Sequence, residues 1–335
     1  MPSNAEEWLA QVVEEPLDPE RSICDPHHHL WDHPNSRYLA KELLADTASH
    51  KVVSTVFIEC TSEYRQDGPD ALKPVGETEF VQAVADANAG GNTAVCAGIV
   101  GMADLSLGDA VKPVLDAHLA ASPDRFRGIR HATGWDASDA VRNSHTNPPE
   151  NLMADSKFRE GFACLSEYGL SFDAWLYHPQ LPELIDLAQT FPDTTIVLDH
   201  FGGPLGIGPY EGKRADIFAA WRENISDLAK CPNVVAKLGG LAMPINGFRW
   251  HKQPKPPTSI ELAETTSAYY LHTIEEFGPE RSMFESNFPV DRQSCSYTVL
   301  WNSFKRIASS FSEAEKDMMF HDTAARVYRI GSRQA

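Results

Sequence analysis

The chain has 335 residues, of which 42% are hydrophobic, and its formal net charge at pH 7 is -18. This hydrophobic share is enough to bury a large core, and single α/β barrels reach this length. The negative charge argues against a nucleic-acid partner, because phosphate binding requires lysine and arginine side chains. We interpret the acidity as a well-solvated surface.

The six cysteines are widely scattered and form no Cys-x-x-Cys pair, so we expect no disulfide framework. Residues 1–18 are acidic and lack an apolar core, which argues against a signal peptide or an anchor. No window approaches the roughly 20 apolar residues that a membrane helix needs. We therefore expect a cytoplasmic protein that acts on a small molecule, has no membrane partner and can form a homo-oligomer.

Short apolar runs alternate along the chain with segments of helical periodicity. Eight runs are predicted to be strands: residues 22–24, 52–58, 94–100, 126–129, 170–176, 195–198, 234–238 and 282–284. The predicted helices are residues 77–88, 107–121, 156–168, 181–190, 216–229, 260–277, 295–310 and 312–330. This alternation is typical of βαβ units around a parallel sheet.

Eight such units predict a closed (β/α)8 TIM barrel, a single domain over residues 22–335 that follows an N-terminal extension over residues 1–21. An open doubly wound sheet is the main alternative. No glycine-rich phosphate loop follows the first strand, which favours the barrel. Two long irregular stretches, residues 65–74 and 243–257, follow the second and seventh strands, on the side where barrels carry their active sites. They fit a lid or a substrate pocket.

The first strand runs into residues 25–32, Asp-Pro-His-His-His-Leu-Trp-Asp. Side chains alternate along an extended chain, so His27 and His29 point to one side and His28 to the other. Two imidazoles on one face form half of a metal or proton-transfer site. The alternative is a solvent-exposed turn without a function.

Ionisable residues also lie within or just after most of the other predicted strands. They are Glu59, Arg130, His131, His178, Asp199, His200, Lys237, Glu285 and Asp291. Each has a structural alternative: a histidine that only completes hydrogen bonds, an ion pair between Glu59 and Lys237, or Arg130 as a structural cation. Isolated charges in a barrel mouth cost several kcal/mol unless they are paired or used. Their collection on one rim therefore favours a catalytic site.

These stretches resemble, in chain order, the strand-end signatures of the amidohydrolase superfamily. The matching segments are residues 25–32, 128–131, 197–204, 237–240 and 283–290. More narrowly, the chain resembles the branch that contains sugar-acid lactonases and 2-pyrone-4,6-dicarboxylate lactonase, and the likeness covers residues 24–330. The resemblance implies that His27, His29 and His200, with His178 as a fourth group, hold a divalent zinc or manganese ion or line a metal-free site.

The chain departs from this family pattern after the eighth strand. Asn287 stands where the family has the aspartate that manages the proton of the attacking water, and an amide cannot act as a base. Glu285 stands where the family has glycine, two residues earlier and on the same face. We hypothesise that Glu285 takes over the acid/base role, with Asp291 or Glu59 as the next candidates.

These residues predict a hydrolase that opens a small cyclic ester bearing a carboxylate. Lys237 and Arg130 would bind that carboxylate or the developing oxyanion. The remaining candidates for substrate binding are His131, His178, Asn287, Arg249 and His251 of the seventh loop, and Tyr64 and Arg65 of the second loop. The alternatives are a metal-dependent non-oxidative decarboxylase of the same superfamily and a catalytically inactive barrel that serves as a binding protein. Converging imidazoles argue against the latter.

Overall fold

The computed structural model describes residues 5–34 and 36–331. Eight parallel strands pair with one another in chain order, as a TIM barrel requires. They are β1 Ile23–His28, β2 Val52–Ile58, β3 Ala94–Gly101, β4 Phe126–Ile129, β5 Ser171–Ala174, β6 Ile196–Leu198, β7 Val234–Leu238 and β8 Ser282–Phe284. The predicted (β/α)8 barrel is confirmed, and the predicted strands agree closely with the observed ones except that β1 continues to His28.

The barrel closes between β1 and β8 through few backbone contacts. One bridge pairs His28 with Phe288, and the backbone N–H of Asn287 donates to the carbonyl oxygen of His27 at 2.9 Å. The carboxylate of Asp25 strengthens this junction, because it accepts the N–H of Ser286 at 3.0 Å. The closure therefore sets the residues after β8 directly against the His27 segment.

Helices that follow the strands from β2 to β8 cover the outside of the barrel. They are Val75–Ala87, Lys112–Ala121, Ser156–Glu167, Leu181–Thr190, Arg214–Leu228, Ser259–Phe277 and Tyr297–Ile307. Asp155 and Thr258 cap two of these helices, since their side-chain oxygens accept backbone N–H groups of the first turn. The C-terminal segment is helical over Glu313–Asp317, forms a π-helical turn over Met318–Asp322, and ends in the helix Thr323–Val327.

Some elements were not predicted from the sequence. A short hairpin pairs Trp31–His33 with Ser36–Tyr38, and two helices cover Ala5–Leu9 and Ala40–Thr47. Short 3-10 turns follow several strands at the C-terminal rim, among them His178–Gln180, His200–Gly202, Pro244–Asn246, Trp250–Lys252 and Asp291–Gln293.

The N-terminal residues lie along the helix Tyr297–Ile307. The backbone N–H of Leu17 donates to Asn302 at 2.7 Å, and the ammonium of Lys305 donates to the carbonyl oxygen of Leu17 at 2.7 Å. The extension is thus fastened to the barrel surface. All six cysteines are free thiols. Within the described ranges, none of the helices combines the length and the apolar character that crossing a bilayer requires.

The inside of the barrel is apolar at its N-terminal end. The cluster there joins strand residues to the C-terminal segment and contains Cys24, Val56, Ile58, Val100, Val197, Val235, Met283, Ala324, Val327 and Tyr328. Because side chains alternate along a strand, the residue two positions after an inward apolar residue also points inward. Asp199, Lys237 and Glu285 follow Val197, Val235 and Met283 in this way.

Candidate active site

A layer of charged side chains lies above the apolar interior. Asp173 of β5, Lys237 of β7, and Asp199 and Glu285 at the ends of β6 and β8 are all fully buried. Buried charges are tolerated only when they are paired or used in chemistry. The contacts of each group therefore indicate what this layer does.

Glu285 lies between two histidines. Its Oε1 is 2.6 Å from Nδ1 of His200, and its Oε2 is 2.9 Å from Nδ1 of His27. Burial raises the pKa of Glu285 well above its usual value, and the ammonium of Lys237 opposes this rise. Burial lowers the pKa of His200 to about 3. In the tautomer in which Nδ1 of His200 donates to the carboxylate of Glu285, Nε2 of His200 keeps its lone pair.

The rings of His29 and His27 face each other with their Nε2 atoms. The Nδ1 atoms make the contacts that anchor the two rings. Nδ1 of His29 donates to the carbonyl oxygen of Ile58 at 2.8 Å, which fixes the tautomer and leaves Nε2 as an acceptor. This Nε2 lies 3.3 Å from Nε2 of His27. The ring centroids of His27 and His200 are 4.4 Å apart. The three imidazoles predicted to converge thus meet in one place.

Lys237 is held by the other two carboxylates of the layer. Its Nζ lies 2.7 Å from Oδ2 of Asp173, 3.1 Å from Oδ1 of Asp199 and 3.2 Å from Nδ1 of His27. Burial works against the ammonium, but the carboxylates of Asp173, Asp199 and Glu285 outweigh it and raise the pKa of Lys237. Sequence reasoning missed Asp173, whose one signal is a single acidic residue inside an apolar strand.

Arg130 is held by Glu59 rather than left free. Its Nε donates to Oε1 of Glu59 at 2.7 Å, and its Nη2 donates to the Glu59 carbonyl oxygen. Its Nη1 points into the site, 3.5 Å from Oδ2 of Asp199 and 3.4 Å from Nε2 of His27. His145, which sequence reasoning also missed, lies 3.0 Å from Oε2 of Glu59. Both cations, Arg130 and Lys237, are therefore paired with carboxylates.

The structure places four other candidates outside this charged layer. Nδ1 of His178 accepts the N–H of Leu205 at 3.2 Å, and Nδ1 of His131 accepts the N–H of Leu105 at 3.2 Å. Asn287 donates to Asp291 at 2.9 Å, and the same carboxylate accepts the N–H of Ala242 at 3.2 Å. These contacts order the loops at the rim.

The structure also does not place the candidates on the two long loops close to the imidazoles. Arg249 pairs with Glu211 at 2.5 Å, and Arg65 donates from Nε to Glu79 at 3.1 Å, both near the surface. The hydroxyl of Tyr64 and Nδ1 of His251 are buried without a hydrogen-bond partner in the described part of the chain.

The site has a donor set suited to a divalent metal. One ligand atom each from His27, Asp199 and His200 lie within 4.8 Å of one another. Neither carboxylate oxygen of Asp199 accepts a hydrogen bond of good geometry from any described residue, although both are buried. Two imidazoles and a carboxylate match a zinc site with an open position. The charge balance agrees, because the buried carboxylates of Glu59, Asp173, Asp199 and Glu285 outnumber the two cations.

Comparison with known proteins places the chain in a family. The family model described as "Amidohydrolase" matches residues 24–330. The uncharacterized protein y4mH of Sinorhizobium fredii is 34% identical over 92% of this chain and 99% of its own length. The L-fucono-1,5-lactonase of Burkholderia multivorans is 27% identical over 91% of this chain and 95% of its own.

A solved structure agrees with the fold. An amidohydrolase from Burkholderia multivorans, crystallised with bound zinc, superposes with a TM-score of 0.71 at 24% identity, covering 92% of this chain and 99% of that chain. The family match spans nearly the whole barrel and includes the charged layer. The chain therefore belongs to the amidohydrolase family and is a hydrolase of that superfamily.

Proposed function

We propose that this enzyme opens a small lactone by hydrolysis at the C-terminal mouth of the barrel. The observation that carries the proposal is the contact of one carboxylate, Glu285, with Nδ1 of both His200 and His27. The likeness to an L-fucono-1,5-lactonase supports the same reaction class.

In this proposal His200 handles the proton of the attacking water. Glu285 holds Nδ1 of His200, so the lone pair of Nε2 faces away from the carboxylate. A carboxylate in this position also stabilises the imidazolium that forms when Nε2 accepts a proton, as in hydrolytic triads. Glu285 is then a positioning residue, and it compensates for Asn287, which cannot accept a proton.

Arg130 provides the donor for the ester carbonyl. Its Nε and Nη2 are occupied by Glu59, which leaves Nη1 directed at the space beside His27 and Asp199. A preorganised donor of this kind stabilises a developing oxyanion by about 3 kcal/mol. Because both buried cations are already paired, a carboxylate on the substrate would add negative charge to a site with an excess of it. We therefore extend the proposal from carboxylate-bearing lactones to uncharged ones.

A divalent cation fits this scheme. His27, Asp199 and His200 would hold it, and zinc is also what the Burkholderia amidohydrolase contains. When bound, such an ion lowers the pKa of water from 15.7 to about 7. His200 would have a different role in each arrangement: it would accept the proton in a metal-free enzyme, and it would be one of three ligands if a cation were bound. Lys237 keeps Asp199 in place, since its Nζ lies 3.1 Å from Oδ1.

The test is turnover of a panel of uncharged sugar lactones and carboxylate-bearing lactones, followed with a pH indicator. We expect acid release by the wild-type enzyme and a loss of about 100-fold or more in kcat for His200→Asn. The matched control is His321→Asn, at a partly exposed histidine that pairs with Asp322 in the C-terminal segment. If no lactone is opened and carbon dioxide is released from aromatic acids instead, the enzyme is a decarboxylase and the proposal is wrong.

A further inference from the structure

The C-terminal segment reaches into the barrel from the end opposite the imidazoles. Its last helix, Thr323–Val327, is tied down by the hydroxyl of Thr323, which donates to the carbonyl oxygen of Pro279 at 3.2 Å. Nε of Arg127 at the start of β4 donates to the carbonyl oxygen of Tyr328 at 2.7 Å. These contacts fix the backbone of Tyr328, whose side chain is fully buried.

The hydroxyl of Tyr328 ends at the charged layer. It donates to Oδ2 of Asp173 at 2.6 Å, and the same oxygen accepts Nζ of Lys237 at 2.7 Å. The ring of Tyr328 also lies 5.4 Å from this ammonium, which is within cation–π range. Burial and the nearby carboxylates raise the pKa of Tyr328 well above its usual value, so the phenol remains a donor.

Asp173 depends on this donor for its orientation. The terminal torsion of an aspartate is broad, so a single contact leaves the carboxylate free to rotate. Oδ1 of Asp173 has no hydrogen-bond partner among the residues that the structure describes. The tyrosine hydroxyl and the lysine ammonium, both on Oδ2, together fix the group.

We infer that Tyr328 is a positioning residue for the active site, acting through Asp173 to hold Lys237 beside Asp199 and His27. A chain of contacts thus connects the C-terminal segment to the imidazoles across the barrel interior. The inference rests on the proposed function only for its kinetic consequence. The competing explanation is that Tyr328 is an apolar plug whose ring fills the end of the barrel.

Tyr328→Phe separates the two explanations, because it keeps the ring and removes only the hydroxyl. The matched control is Tyr38→Phe, which removes a buried hydroxyl that donates to Asp46 at 3.0 Å outside the barrel. The first readout needs no substrate. In protein labelled with ¹⁵N-lysine, the protected ammonium signal of buried Lys237 is assigned with Lys237→Arg. We expect Tyr328→Phe to shift this signal and Tyr38→Phe to leave it unchanged.

The second readout is kinetic. We expect Tyr328→Phe to lower kcat by about 10-fold, as loss of an outer contact does at metal and catalytic sites, with KM within about 2-fold. Asp173→Asn should act in the same direction, and the double variant should lose little more than either single one, because both changes break one chain of contacts.

An unchanged Lys237 signal in Tyr328→Phe would show that Tyr328 is only a plug. Fully additive losses in the double variant would show that Tyr328 does not act through Asp173, and would overturn the inference. A shifted signal in an enzyme that opens no lactone would overturn the proposed function and leave this inference standing. If Tyr328→Phe fails to fold, Thr323→Val decides instead, because it removes the hydrogen bond to Pro279 that holds the last helix and does not touch Lys237. The positioning role predicts a shifted lysine signal in this variant, and the plug explanation predicts an unchanged one.

Discussion

Glu285 contacts Nδ1 of His200 at 2.6 Å and Nδ1 of His27 at 2.9 Å, one imidazole with each carboxylate oxygen. A general base must touch the water that it deprotonates. Glu285 has no exposed surface, and its two oxygens face the two rings. In the proposed mechanism, Glu285 therefore acts on the water only through His200.

Glu285→Gln should lower kcat by about 100-fold or more while the enzyme stays folded. An amide can still contact Nδ1 of His200 but cannot stabilise an imidazolium. The measurement is kcat together with the thermal unfolding midpoint, and Glu183→Gln serves as the control because its half-buried carboxylate lies in the helix Leu181–Thr190, away from the imidazoles. Full turnover by Glu285→Gln would refute the role given to this residue.

Sequence patterns were sufficient to place the strands and hence the rim. Apolar runs mark the strands, and in a closed parallel barrel every C-terminal strand end faces the same side. His27, His29, His200 and Glu285 could therefore be expected to meet on the strength of their positions in the chain. Their convergence follows from topology alone.

The sequence does not predict which residues of the charged layer pair with each other. Lys237 pairs with Asp173, not with Glu59, because β5 and β7 bring those two side chains inward at the same level. Asp173 looks like any polar residue in a half-buried strand, and Tyr328 is 155 residues away in a helical pattern. His145 comes from an irregular loop, which has no periodicity to place it. Such contacts depend on three-dimensional distances that strand patterns do not encode.

Metal content should respond to the carboxylate of Asp199. If His27, Asp199 and His200 hold a divalent metal, protein purified without chelator should contain about one equivalent of it, because three ligands and an open position make a catalytic zinc site. A cation present at about 100 times its Kd would stabilise the fold by about 2.7 kcal/mol, so a chelator should lower the Tm and added zinc should restore it. Asp199→Asn should reduce both the bound metal and the Tm response.

Elemental analysis and thermal unfolding measure these two effects independently of any substrate. Less than about a tenth of an equivalent, with turnover intact and no response to chelator, would instead show that the site works without metal.

Glu77 should make stability depend on pH. Its Oε1 accepts the N–H groups of Cys60 and Ser62 at 2.9 and 2.7 Å, whereas burial and the charge of Glu59 raise its pKa to about 8. Between the ordinary glutamate pKa and this value, the unfolded chain ionises while the folded one keeps its proton. Stability should therefore fall as pH rises through this window, by up to about 1.4 kcal/mol per unit.

Glu77→Gln keeps an acceptor for both N–H groups and removes the titration. We expect the free energy of unfolding of this variant, relative to that of the wild type, to rise from about pH 5 to about pH 8. Above about pH 8 the difference between the two proteins should stay constant. Urea unfolding of both proteins across this range measures the difference. A difference that stays constant with pH would contradict the assigned pKa.

Position 240 should tolerate only glycine, because the ring of His200 lies against it. A Cβ at Gly240 would lie 2.5 Å from both Cγ and Nδ1 of His200, and the backbone there has φ of +75°. Gly240→Ala therefore combines a left-handed backbone with a clash that moves Nδ1 away from Glu285. We expect a lower Tm and a loss of turnover comparable to that of Glu285→Gln.

Gly169→Ala isolates the backbone contribution, because Gly169 has φ of +62° and a Cβ there would meet nothing within 4 Å. That control should cost about 1–2 kcal/mol of stability and leave kcat unchanged. The loss of stability and turnover in Gly240→Ala beyond that in Gly169→Ala then measures the effect of moving His200 away from the carboxylate of Glu285. Equal effects of the two variants on stability and turnover would mean that the imidazole tolerates the shift, and that its contact with Glu285 does not limit catalysis.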